Sequence, residues 1–288
     1  MENHLKKLIV TILLVFVIAA LPAISRAEEQ NQQKPEESKV TGEIGLSALS
    51  AYIWRGQELT RNSIVVQPAV TLSYNGFALN VWGNLDTRPY SSGDAKYASQ
   101  HTETDYTLSY SRKFGILQIT PGYIYYALEA PYSGATDPID SQEIFLALGL
   151  DTILQPTITA YKEIDHYHQW YFLLGVSHTF AFNNVISLKL SASASYLLST
   201  DETTYAKYDS DSLATTDKFN NFHDGTVTIS LPLAVYKTLT VTPTLSCVFP
   251  LSDDARYEMR ARSVQGAEVV SDKNSEYIYG GVTLSYTF

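Results

Sequence analysis

Cysteine is almost absent: Cys247 stands alone in 288 residues, so neither an intramolecular disulfide nor a thiolate metal site can form. Long apolar runs are also scarce. Past residue 20 none approaches the ~20 residues that a membrane-spanning helix needs. That lack does not exclude a membrane, because barrel strands conceal their apolar character by alternation. Charge is thin as well, at 17% of residues, and its balance is acidic, with a net charge of −10. A chain of that sign is a poor fit to nucleic acid, whose phosphates call for basic patches. The residue in excess is tyrosine, 21 Tyr against 11 Phe and 3 Trp. Such rings suit boundaries where one end is apolar and the other wet.

The one long apolar run lies at the start. Lys6 and Lys7 precede an apolar stretch from Leu8 to Ala20 broken only by Thr11, Pro22 ends it, and Ser25-Arg26-Ala27 sets small residues at the −3 and −1 positions. This is the layout of a signal peptide, so residues 1–27 are expected to be removed on export. Cleavage would remove three cations (Lys6, Lys7, Arg26) and one anion (Glu2), taking the net charge to −12. Residues 28–40 are rich in Glu, Gln and Lys and read as a flexible periplasmic tail.

From Thr41 onward the hydrophobic period is two. Ile64, Val66, Pro68, Val70, Leu72 and Tyr74 alternate with Gln67, Ala69, Thr71 and Ser73. Phe77, Leu79, Val81 and Leu85 then alternate with Ala78, Asn80, Asn84 and Asp86. Asn75-Gly76 joins the two runs and is a pair suited to a type I′ turn, where both positions take positive φ. Continuing along the chain gives twelve expected strands, at 42–54, 64–74, 77–87, 102–114, 116–128, 141–151, 154–164, 168–180, 185–198, 222–234, 239–249 and 276–288. Links from odd to even strands are long, with 165–167 the exception, whereas links from even to odd strands are tight turns. Long loops at one end and short turns at the other mark an outer-membrane barrel with its turns in the periplasm. The fold class predicted is therefore all-β, a transmembrane antiparallel up-and-down barrel of about twelve strands, spanning 41–288. Unpaired edges are not tolerated in hydrocarbon, so the sheet must close. Pro68, Pro121, Pro156, Pro232 and Pro243 sit awkwardly inside these strands, since each removes a ladder hydrogen bond.

The last strand alternates Ile278, Val282, Leu284, Tyr286 and Phe288 with Tyr279, Gly281, Thr283, Ser285 and Thr287, and ends on an aromatic. It resembles the terminal signal read by the barrel-assembly machinery. Tyr52-Ile53-Trp54-Arg55-Gly56-Gln57, Val66-Gln67-Pro68-Ala69, Gly76-Phe77 and Val81-Trp82-Gly83 together resemble the opening hairpins of the TorF-type porin family. That resemblance covers about 40 residues. It implies a porin-like barrel and carries no assigned substrate or catalytic residues.

Function would reside on the lumen face. Its expected polar members are Glu43, Asn80, Asn84, Asp86, Glu103, Asp105, Glu143, Glu163 and Lys189, with Gln67, Lys113 and Asp151 beside them. Carboxylates outnumber amines there, so small hydrophilic solutes are expected to pass with a weak preference for cations. The other reading of the same residues is a filled barrel that they merely solvate, acting through its loops on lipopolysaccharide or protein. Trp82, Phe145, Tyr161 and Tyr279 would block conduction if they met across the axis. Arg55 is expected where strand one leaves the membrane, within reach of Glu58, either at the mouth or as an interfacial anchor. Tyr52 and Trp54 are expected in the aromatic girdle. His166 and His168 give a weak metal pattern. The acidic loops 199–221 and 250–275 read as solvated. Ser177-His178 point to opposite faces, and no Ser/His/acid set converges, so no enzyme, cofactor or metal is expected. The partners expected are membrane lipid, lipopolysaccharide and the assembly machinery.

Overall fold

The computed structural model describes residues 39–60, 63–87, 101–129, 140–264 and 270–288. The signal peptide and nearly all of the tail lie outside the described residues. Twelve strands form the wall: β1 Thr41–Leu49, β2 Val65–Tyr74, β3 Phe77–Asp86, β4 His101–Tyr110, β5 Leu117–Leu128, β6 Ser141–Leu150, β7 Thr157–Glu163, β8 Gln169–Ala181, β9 Ser187–Ser199, β10 Asn220–Ser230, β11 Leu239–Pro250 and β12 Tyr277–Thr287. Each pairs antiparallel with its sequence neighbours. The sheet closes where β1 meets β12, with Glu43 opposite Thr287 and Leu49 opposite Gly281. The result is a closed twelve-stranded barrel with no free edge.

The alternation read from the sequence now acquires two sides. Ile44, Leu46, Val70, Leu72, Leu79, Val81, Leu108, Ile144, Leu146, Val227, Ile229, Val282 and Leu284 are exposed on the outer face, where hydrocarbon takes the place of water. Ring pairs mark the rims. Phe77–Tyr110 and Tyr286–Phe288 stand at the turn end, and Trp170–Phe172 and Tyr196–Phe222 at the loop end. Asn75 and Gly76 take φ of 51° and 85°, the positive pair that a type I′ turn needs.

The prolines find their places in two ways. Pro156 and Pro232 lie outside the strands, in turns, where their carbonyls accept from Leu150 and Ser187. Pro68, Pro121 and Pro243 remain in strands, each continuously paired on one side: Pro68 with Leu46, Pro121 with Leu146 and Pro243 with Val282. On the other side the ladder skips Pro68 and stops short of Pro121 and Pro243. A residue with no N–H is tolerated where no ladder donor is required.

Strand one departs from the expectation: it ends at Leu49, not at 54. The chain then turns inward to form a two-residue hairpin, Ile53–Trp54 paired with Gln57–Glu58. The loop after β11 also differs, since it contains a helix, α1, Asp253–Arg262. Ser252 caps it by accepting from the Ala255 N–H, Asp253 and Asp254 occupy the first turn, and Arg260 and Arg262 the last. Each of these placements favours a helix.

Candidate functional site

The tip of the inward hairpin is Arg55-Gly56, at φ 45° and 76°. These are again type I′ angles, here adopted by an arginine that has no intrinsic preference for them. The backbone strain serves to aim a side chain. Arg55 lies in the lumen, 8% exposed, and donates to Glu143 on β6 through both terminal nitrogens, at 2.7 and 2.6 Å. Tyr126 donates to the same carboxylate at 2.9 Å. The guanidinium carbon stands 4.6 Å from the Trp54 ring centroid, 5.1 Å from Tyr161 and 4.3 Å from Tyr171. A bidentate, aromatic-walled pair of this kind is a strong fastening for a planar cation. The expected partnership of Arg55 with Glu58 is therefore corrected: Arg55 points away from the rim and reaches across the barrel.

Behind the hairpin lies a second polar cluster. The register between β9 and β10 shifts between Ala194 and Tyr196, a bulge that turns both His223 and Asp224 inward. The His223 ring donates from Nδ1 to Asp224 at 2.9 Å and from Nε2 to Glu258 on α1 at 2.8 Å. Ser195 and Tyr171 also donate to Asp224, at 2.7 and 2.9 Å. Gln57 and Tyr205 donate to Glu258 at 2.8 and 2.6 Å, and the Arg262 Nε stands 3.1 Å away. Burial opposes ionisation of Glu258, yet the charge and hydrogen bond of His223, then Arg262 and Tyr205, hold it below the usual carboxylate range. The hairpin is also tied by backbone. Glu58 donates its N–H to Ser263 Oγ, and Val264 donates to the Glu58 carbonyl.

This cluster does bring serine, histidine and acid together, which the sequence did not lead one to expect. Its wiring is not that of a nucleophile. Ser195 bonds to Asp224 and not to the imidazole, and both ring nitrogens face carboxylates, so no lone pair is left to act as base. Around it Tyr171, Leu197, Tyr205, Phe219, Val248, Ala255, Met259 and Tyr277 form a buried apolar core. On the β8–β12 side the loop end of the barrel is thus packed like a soluble protein interior.

The expected lumen residues are all on the inward register, but they meet different fates. Glu143 is consumed by Arg55. Glu163 is fully buried and accepts N–H groups from Asp165, His166 and His168, so it organises the short 164–168 link. Asn84 accepts from Gln67 and donates to Thr102, and Asn80 donates to Thr71. Asp86 is buried near the loop rim. Glu103 and Asp105 stand two apart on β4, so both face inward, and Glu103 is buried. Glu43 and Lys189 are exposed toward the turn end, beside cavities lined by small hydroxyl residues. Lys113 and Asp151 pair with each other on an exposed surface at that same end.

Tyr52 and Trp54 are corrected too. Both sit inside, Tyr52 at 5.4 Å from the Trp82 ring and Trp54 edge-on to Tyr126 at 6.3 Å, because the hairpin carries them off the wall. Phe145 and Tyr161 are strand neighbours at 5.6 Å, not rings meeting across the axis. In the loops, Asp254 pairs with Lys207 at 3.0 Å, Asp253 with Arg256 at 3.3 Å and Glu202 with Lys218 at 3.4 Å. Among the described residues no three metal-ligating side chains converge.

No family model matches the chain, and no curated protein matches it. The TorF-type resemblance therefore rests on its opening motif alone. Among solved structures, the NanC porin superposes with a TM-score of 0.51 at 10% identity, covering 86% of this chain and 99% of its own. The KdgM porin gives 0.49 at 11%, covering 85% and 99%. An outer membrane channel from Pseudomonas putida F1 gives 0.45 at 8%, covering 90% and 98%. At such identities the likeness to the NanC porin is one of fold. The chain is a twelve-stranded porin-like barrel of the outer-membrane type.

Proposed function

We propose that this protein is a passive outer-membrane channel for small hydrophilic solutes, with a weak preference for cations. Its narrowest zone would be the Arg55 hairpin. The observation that carries the reading is the contrast along the lumen. Below the hairpin the wall is lined by Thr157, Gly175, Ser191, Ser193, Thr226 and Thr228, which leave a cavity of about 250 Å³ beside Lys189. Small hydroxyl side chains wet a passage without filling it. The charge balance supports the preference. Arg55 and Arg262 are each matched by a carboxylate, whereas Glu43, Glu103 and Asp105, set against Lys189, form no ion pair among the described residues. The same proposal includes export through a cleaved signal at residues 1–27, recognition of the strand ending at Phe288 by the assembly machinery, and a lipid and lipopolysaccharide surround. No cofactor is required.

Refolded mature protein in a planar bilayer under a salt gradient tests this. Discrete steps with a reversal potential on the cation side support it, and Lys189→Glu should move that potential further the same way. A folded barrel that passes no current would favour the second reading, action through the packed loops.

A further inference from the structure

On the loop side of the Arg55 hairpin is a separate cavity of about 190 Å³, set between hairpin, wall and loops. Four aromatic residues line it: Trp54 from the hairpin, Tyr126 from β5, Tyr167 from the 164–168 link and Tyr205 from the loop after β9. Two acceptors reach it. One is Glu103, the one carboxyl among the residues lining the cavity, buried and without a basic partner among the described residues. The other is Gln169, 2% exposed, whose amide oxygen has no hydrogen-bond partner. A buried acceptor left unmade is costly, and it points to a donor or cation supplied from outside.

From these groups we infer that the cavity is a binding site for a small organic cation, an alkylated or primary ammonium, enclosed by Trp54, Tyr126, Tyr167 and Tyr205 and neutralised by Glu103 with Gln169. Aromatic faces attract ammonium groups through the ring quadrupole, most strongly where water is excluded. Arg262 also borders the cavity, but its charge is matched by Glu258 at 3.1 Å and its guanidinium lies 3.8 Å over the Tyr205 ring. Arg55, close to Trp54, is matched by Glu143. Both cations near the site are thus matched, whereas the lining carboxyl of Glu103 has no basic partner among the described residues. The inference deepens the channel reading by naming a solute class at the loop-side entrance, and it rests on that reading for its role in passage, though not for binding itself.

The test uses the refolded full-length mature barrel with Trp82→Phe and Trp170→Phe, which leaves Trp54 as the sole tryptophan. Choline chloride is titrated against 3,3-dimethyl-1-butanol, its neutral isostere, at constant ionic strength. The expected result is a saturable change in Trp54 emission with choline, none with the alcohol, and affinity at least about tenfold weaker in Glu103→Gln/Asp105→Asn. Gln169→Leu, which keeps the charge pair, provides a second variant and should also weaken binding. No saturable response to choline, an equal response to the alcohol, or unchanged affinity in both variants would overturn the site. Bilayer current separates the two readings: binding without conductance retires the channel and leaves the site, whereas conductance without binding retires the site alone.

Discussion

The two ends of this barrel are built on different principles. At the loop end, side chains from β6, β8, β10, α1 and the inward hairpin are knitted by buried ion pairs around Phe219 and Met259, both fully buried. At the turn end β7 to β10 present Thr157, Gly175, Ser191, Ser193, Thr226 and Thr228 around a cavity. The wall is equally regular at both ends, so the difference lies in what hangs from it. Loop-end strand residues face folded loops and behave as core, while turn-end residues on β7 to β10 border open cavities. On the proposed channel reading, the packed end would decide access and the open end would offer little resistance.

The sharpest way to break that contrast is to remove Arg55. Arg55→Ala leaves Glu143 buried without its cation, a loss of about 3–5 kcal/mol for such pairs. The hairpin should undock, with higher conductance and rapid amide exchange at its tip. Phe219→Ala set against Ser191→Ala sharpens the same comparison through packing. The first should lower unfolding stability by about 3–5 kcal/mol and the second by no more than about 0.5 kcal/mol, as read by urea titration of the refolded barrel.

Gly56→Ala should act more mildly. Its φ of +76° is costly for any residue with a Cβ, and the added atom would lie 3.0 Å from Met259 Cε and 3.1 Å from Asp224 Cβ. Roughly 1–2 kcal/mol is expected, visible as partial loss of hairpin protection while the barrel itself stays folded. The smallest effect is in pH. Burial pushes the Glu58 carboxyl up to about 6 from an ordinary 4.5. A docked carboxyl that holds its proton more tightly than an undocked one makes docking strongest below about pH 4.5. Docking should weaken as pH rises through 6 and then level off. Glu58→Gln should abolish that dependence, measured as hairpin exchange rate against pH after correction for intrinsic exchange.

Much of the wall was legible because period-two alternation and the segregation of long links from short turns are set by the membrane itself. Strands 64–74, 77–87 and 141–151 lie within a residue of β2, β3 and β6. The interior was less legible. The run to Trp54 reads as a continuation of strand one because Tyr52, Ile53 and Trp54 suit a strand, and only Arg55-Gly56 signals the reversal. Pairs such as Asn-Gly announce a type I′ turn, whereas an arginine in that position is held there by its tertiary partner Glu143. The helix in the last long loop did leave a signature, in Ser252 followed by Asp253 and Asp254 and closed by Arg260 and Arg262, but an acidic loop masks it. The bulge that brings His223 beside Asp224 has no local signature, since it depends on the register between β9 and β10.

Hydrogen exchange on the intact barrel in detergent micelles tests the central claim most directly. Glu58 and Leu59, whose N–H groups are held by Ser263 and Tyr52, should exchange as slowly as amides of β8 and β9. Exchange at those two residues as fast as in an unstructured peptide, with the strands still protected, would contradict a docked hairpin and the account of access built on it.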